Sequence, residues 1–151
     1  MGQKRRTSGI DRRIAIVRRA GRSDVHDIAT LWGRAGFTES IRGFRSEIAR
    51  LRRRDPELLL IALREGVLVG AIAGSYDGRT ATVSRLAVDP DVRRQGIARL
   101  LVQELCHQLE ELGANSDEIM VVDDAPDIDE FWRAVGFERG RSPVYFIRRA
   151  D

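Results

Sequence analysis

At 151 residues and 42% apolar composition, the chain is long enough for one packed domain, and no apolar run approaches the ~20 residues of a membrane-spanning helix. Twenty-six basic against 23 acidic residues leave a net charge of only +3, although eight Lys/Arg and one acid fall within the first 22 positions. A single cysteine, Cys106, excludes an intramolecular disulfide framework, and His26 and His107 lack metal-ligand spacing.

The basic N-terminus is followed by no apolar h-region, so no signal peptide is expected and the cytoplasm is the expected location. Residues 1–13 read as a disordered, solvated tail, with residues 14–151 as one domain. The tail's charge would also suit nucleic acid or a membrane surface. No aromatics interleave with the arginines as single-strand binders require, so a nucleic-acid partner is not expected.

In chain order, Ile14–Val17 has strand character and Ser23 is placed to cap a helix. Val25, Ile28, Ala29 and Trp32 form one apolar stripe ending near Gly36. A second helix shows Ile41, Phe44, Ile48 and Leu51, with Arg50 and Arg52–Arg54 at its end, where cations suit the dipole, and Pro56 stopping it. Strands follow over Glu57–Leu63, Val67–Tyr76 and Thr80–Val88, joined at Glu65-Gly66 and Asp77-Gly78. Ala98, Leu101, Val102, Leu105, Leu109 and Leu112 give a third helix its apolar face, closed by Gly113. Cys106 lies in that helix and reads as a buried, inert thiol. A strand at Glu118–Val122, a short helix opened by Asp127 or Asp129 and ended by Gly136, and a strand at Val144–Arg148 complete the pattern.

The stretch Leu86-Ala87-Val88-Asp89-Pro90-Asp91-Val92-Arg93-Arg94-Gln95-Gly96-Ile97-Ala98-Arg99-Leu100-Leu101 carries the chemistry. A strand runs through a Pro turn into a helix. The first N–H groups of a helix have no intrahelical partner, and the dipole adds about half a positive charge there, so a pyrophosphate is satisfied at that end. Gly96 admits oxygens close to the backbone, and Arg93 and Arg94 add charge. The spacing Arg93-x-x-Gly96-x-Ala98 resembles the acyl-CoA signature of the GCN5-related N-acetyltransferases (GNAT family). Phe131-Trp132-Arg133-Ala134-Val135-Gly136-Phe137 resembles a second element of that family. The resemblance covers roughly residues 14–149, is nearest to the small bacterial branch, and extends to ribosomal-protein N-acetyltransferases across the CoA signature.

The resemblance implies an α/β (α+β) GNAT fold, a mixed, mostly antiparallel central sheet with helices on both faces. It implies transfer of acetyl from acetyl-CoA, without a metal, to a primary amine of a small molecule or peptide, by direct attack in a ternary complex. Leu86, Ala87 and Val88 would hold the pantetheine arm and thioester through their backbone. Arg93, Arg94, Gln95, Gly96, Ile97, Ala98 and Arg99 would hold the pyrophosphate, with the Gln95 side chain either touching it or capping the turn. Trp132 would line the cofactor site. It stands where many relatives carry a Tyr acid, and an indole N–H cannot usefully give up a proton. The fifth strand likewise lacks the Glu base of some relatives. Asp123, Asp124 and Tyr76 remain as catalytic candidates, and Tyr76 and Asp77 read equally well as turn residues. Tyr145 reads as packing. These gaps keep open a non-catalytic acyl-CoA-binding regulatory module. Arg34, Glu39, Arg42, Arg45 and Glu47 would face the acceptor, and their Arg excess suggests an acceptor bearing a carboxylate, unless they are simply a solvated helix face. A homodimer is left open.

Overall fold

The computed structural model describes residues 15–122, 129–138 and 140. The expectations for the tail, for Asp123, Asp124 and Asp127, and for the strand at 144–148 with Tyr145 lie outside the described residues. Five strands form one sheet in the order β1-β2-β3-β4-β5: Ile16–Arg19, Leu59–Arg64, Val67–Tyr76, Ala81–Val88 and Ile119–Val121. The first three pairings are antiparallel and β4–β5 is parallel. Helices α1 (Val25–Arg34) and α2 (Ile41–Arg54) cover one face, and α3 (Ile97–Glu111) and α4 (Asp129–Ala134) the other.

Alternation along β2 builds both cores: Leu59 and Ile61 face α1 and α2, whereas Leu60 and Ala62 face α3. The α3 face is close-fitted. A Cβ on Gly70 would stand 2.9 Å from Leu101 Cδ1, and one on Gly74 would stand 2.9 Å from Leu105 Cδ1. The two strand glycines therefore let α3 seat against β3.

Several expectations shift. β2 begins at Leu59 rather than Glu57, because Pro56–Leu58 form a 3-10 turn. β1 begins two residues later than Ile14, and Arg18 and Arg19 belong to it because this edge strand exposes them. Ser23 is not the helix cap. It lies in a 3-10 turn over Arg22–Asp24, where the Asp24 carboxylate takes the Gly21 N–H at 2.6 Å. Leu112 follows the end of α3 and is exposed rather than on its buried face. The start of α2 has its side-chain cap: Ser40 Oγ accepts from the Gly43 N–H at 3.0 Å. No helix among the described residues is long and apolar enough to cross a membrane.

Candidate active site

β4 changes partners along its length. Ala81, Thr82 and Val83 pair with β5, and the Val122 N–H donates to the Val83 carbonyl at 2.9 Å. From Ser84 to Val88, no described residue of β5 pairs with the strand. A bulge sits at this point. Ala71 pairs with Ala87 and Ala73 with Ser84, so β4 spends one more residue than β3, and Arg85 takes φ 53°. At the strand's end the Asp89 N–H donates to the Val69 carbonyl at 2.8 Å. Because successive N–H groups of a strand point to opposite edges, the Val88 N–H faces the edge where no described residue of β5 pairs. The Leu86 and Val88 side chains pack on the α3 core, and Ala87 packs on the α1/α2 core.

The turn into α3 is braced from below and open above. Asp89 Oδ1 accepts the Asp91 N–H at 2.9 Å, and Arg34 reaches Asp89 at 2.8 Å and Asp91 at 3.1 Å. Arg94 at φ 64° and Gly96 at φ 80° then bend the chain through the left-handed region. Turns of this kind gather N–H groups into an anion-binding concavity. No side chain caps α3 at Gly96, and a Cβ there would meet nothing within 4 Å. The Ile97 side chain is buried, so only its backbone is available. Ala98 is half-buried, and Arg93, Arg94 and Arg99 are exposed. No described carboxylate pairs with Arg93 or Arg94. The Gln95 side-chain oxygen accepts from Arg64, which leaves its NH₂ as the outward donor. A hollow of ≈ 270 Å³ lies over Gln95, Gly96, Arg99 and Gln103.

Of the catalytic candidates, Tyr76 alone lies among the described residues, and it stands far from the turn into α3. Tyr76 pairs with Ala81 at the far end of the sheet, and its hydroxyl lies 3.7 Å from where a Cβ on Gly113 would stand. That is the length of α3 away from Gly96, ~22 Å at ~1.5 Å per residue. Asp77 is a turn residue: its Oδ1 accepts from Thr80 at 2.6 Å and Arg79 at 2.9 Å, and these bonds hold its carboxyl below the usual range. Asp123 and Asp124 follow β5, outside the described residues. Trp132 is 7% exposed and packs edge-on against Phe131 and Phe137, and its buried Nε1 has no partner among the described residues. Cys106 is half-buried rather than buried, and desolvation, with Glu110 nearby, pushes its thiol up, which keeps it protonated at neutral pH. No group of three or more His, Cys, Asp or Glu among the described residues is arranged to hold a metal ion.

The face expected to meet the acceptor reads differently in three dimensions. Arg34 is committed to Asp89 and Asp91, while Glu39 and Glu47 both bind Arg85. With both glutamates taken by Arg85, the exposed Arg42 and Arg45 have no described carboxylate partner. Arg85 itself went unread. Its one signal was a cation in a strand between apolar Val83 and Leu86.

Comparison with known proteins agrees with this geometry. The family model described as Acetyltransferase (GNAT) family matches residues 24–137. An acetyltransferase of Sodalis glossinidius is 30% identical over 126 residues, covering 83% of this chain and 89% of that protein. One of Pectobacterium atrosepticum is 34% identical over 101 residues, covering 67% and 72%. The structure of the aminoglycoside N-acetyltransferase AAC(6')-Iy in complex with CoA superposes with a TM-score of 0.74 at 16% identity, covering 91% of this chain and 96% of that one. At that identity the likeness speaks for the fold. The strand that leaves its ladder beside an uncapped helix thus has a family to which it answers, and the chain belongs to the GNAT family of N-acetyltransferases.

Proposed function

We propose that the chain moves the acetyl group of acetyl-CoA to a primary amine of a small molecule or peptide in the cytoplasm, by direct attack with both substrates bound. The observation that carries this reading is β4 running on beyond Val83, unpaired with any described residue of β5, into the start of α3, which no side chain at Gly96 caps. The residues fit the cosubstrate. Backbone N–H groups from Arg94 to Arg99 meet the pyrophosphate, with Arg93 and Arg94 adding charge. Backbone groups of Leu86 and Ala87 hold the pantetheine arm. The Val88 N–H faces the thioester carbonyl, where a donor lowers the barrier as negative charge develops. Trp132 backs α3 from within the core. Acetyl-CoA supplies the activated acyl group. The amine nitrogen bonds to the carbonyl carbon, the carbon–sulfur bond breaks, and the thiolate takes the electron pair. The amine's proton passes through a water molecule to Asp123 or Asp124. A thiol pKa near 8.5 lets the thiolate leave without an acid at Trp132. The aminoglycoside enzyme shares only the fold, so its acceptor is not carried over.

The second reading, a non-catalytic acyl-CoA-binding module, draws on the indole that fills the position of the acid. Calorimetry with acetyl-CoA, followed by thiol release in the presence of a panel of amino acids, diamines and short peptides, decides between them. Binding in the micromolar range, on the order of −8 kcal/mol, with amine-dependent thiol release is expected. Binding without release by any amine favours the module, and no binding at all sinks both.

A further inference from the structure

We propose that Arg85 is a positioning residue for acetyl transfer: it clamps the connection between α1 and α2 onto the bulge of β4, and so fixes the Leu86–Val88 backbone and the wall against which the amine is held. The inference rests on the reading above and adds to it a residue that touches neither substrate.

Arg85 sits at φ 53°, in the region that side chains other than glycine rarely occupy. Such a conformation costs free energy and persists only where its surroundings over-determine it. They do so here. Glu47 of α2 takes Nε at 2.9 Å and Nη2 at 3.0 Å, the forked arrangement that fixes direction as well as distance. Glu39, just before α2, takes Nη2 at 2.7 Å. The guanidinium lies 5.0 Å from the Trp32 ring centroid, 4.8 Å from Phe37 and 5.9 Å from Phe44. One side chain thereby joins α1, the α1–α2 connection and α2 to a single point on β4.

That point is one residue before the stretch given to the thioester. On that reading the cosubstrate lies on the α3 side, where Leu86 and Val88 point, and the α1/α2 side, where Arg85 and Ala87 point, is left for the amine. Stability alone accounts poorly for the cluster, because both carboxylates stay partly exposed, and ion pairs in contact with solvent contribute little. Burial by itself would lower the Arg85 pKa, but Glu47 and Glu39 outweigh it, and Arg85 in turn holds the Glu39 carboxyl below the usual range. Arg85 and Glu39 therefore stay ionised at neutral pH.

Arg85→Gln, Arg85→Lys and Glu47→Gln test this. Acetyl-CoA affinity is measured by calorimetry, turnover by thiol release with the amine panel, and opening of residues 35–47 by hydrogen exchange. Misplacement by ~1 Å costs on the order of a hundredfold in rate, so Arg85→Gln should lose about that in kcat. Its acetyl-CoA Kd should stay within about threefold while the amides of 35–40 exchange faster. Arg85→Lys, which keeps the charge but not the fork, should recover only part of the rate. Glu47→Gln keeps shape and volume and serves if Arg85→Gln does not fold; it should lose rate in the same way, and combining it with Arg85→Gln should cost nothing further. Wild-type kcat in folded Arg85→Gln or Glu47→Gln overturns the proposal. So does a loss of acetyl-CoA affinity and kcat in strict parallel with Tm, the mark of a merely structural role. A wild type that binds no acetyl-CoA overturns the enzymatic reading itself, a distinct result.

Discussion

The two faces of the sheet hold their charges in opposite ways. On the α1/α2 side three arginines are clamped: Arg18 to Asp24, Arg34 to Asp89 and Asp91, Arg85 to Glu39 and Glu47. On the α3 side the contact with the sheet is apolar, built from Ile97, Leu101, Val102, Leu105 and Leu109 with Trp132 beside them. The arginines at its leading end, Arg93 and Arg94, pair with no described carboxylate. Identical side chains thus do unlike work. Where a carboxylate stands nearby, arginine fixes geometry. Where none does, it leaves positive potential over an open turn, and an anionic ligand is the partner that potential suits.

The apolar face breaks most readily at Trp132. Truncation to Ala should cost about 3–5 kcal/mol, because a buried aromatic leaves a cavity that α3 and α4 cannot fully close. Trp132→Phe keeps a ring in the same contacts and loses an N–H that has no described partner, so it should cost far less and retain most of kcat. Denaturant titration of the two variants checks this. A Phe variant that folds normally, binds acetyl-CoA and yet loses a hundredfold in rate would mean that the indole N–H acts in the transition state.

The charge at this turn is tested at Gly96. Placing Glu there puts a carboxylate into the open space above the turn and should weaken acetyl-CoA about a hundredfold, ~2.7 kcal/mol. Gly96→Asn separates charge from backbone, since Asn tolerates positive φ better than most residues, and should lose much less. Equal losses in the two variants would point to backbone strain rather than repulsion, and the contrast between the faces would lose its functional meaning.

What was legible in the chain follows from the same contrast. The apolar side could be read because burial imposes a period: β3 runs over Val67–Tyr76 as its pattern predicts, and α3 buries Leu101, Val102, Leu105 and Leu109 as its spacing requires. The turn into α3 could also be read, because its chemistry is local, with Asp89, Pro90, Arg94 and Gly96 within eight positions. The clamped side could not. Arg85 finds its carboxylates 38 and 46 residues away, and no period marks such a pair. A cation in a strand looks solvated until the aromatics of α1 and α2 close over it. The bulge that turns Arg85 toward them comes from the pairing of β3 with β4, which the residues of one strand do not reveal. Ser23 failed as a cap for a similar reason, since Asp24 beside it had the stronger acceptor and a partner in Arg18.

The clamped face should yield its smallest effect, and a pH-dependent one, at Asp24. Its carboxylate receives Arg18 Nη1 at 2.7 Å, Arg18 Nη2 at 3.1 Å and the Gly21 N–H at 2.6 Å, tying β1 to the turn before α1. The bond from Arg18 contributes most to holding the Asp24 carboxyl below the ordinary range; burial opposes it, and the Gly21 N–H adds to the lowering. A carboxyl whose folded pKa is depressed stabilises the fold above its unfolded pKa, near 3.9, and loses that contribution as pH falls through the folded value. Arg18 is 45% exposed, so solvent screens part of the attraction, and Asp24→Asn should cost about 1–2 kcal/mol at pH 7. The gap between wild type and variant should stay constant down to about pH 4 and then close as the wild-type carboxylate is protonated. Paired urea titrations from pH 7 to pH 3 measure it directly. A gap that persists unchanged at the acid end would assign Asp24 a role in shape rather than charge, and the clamped face would then be held by packing, as the α3 face is.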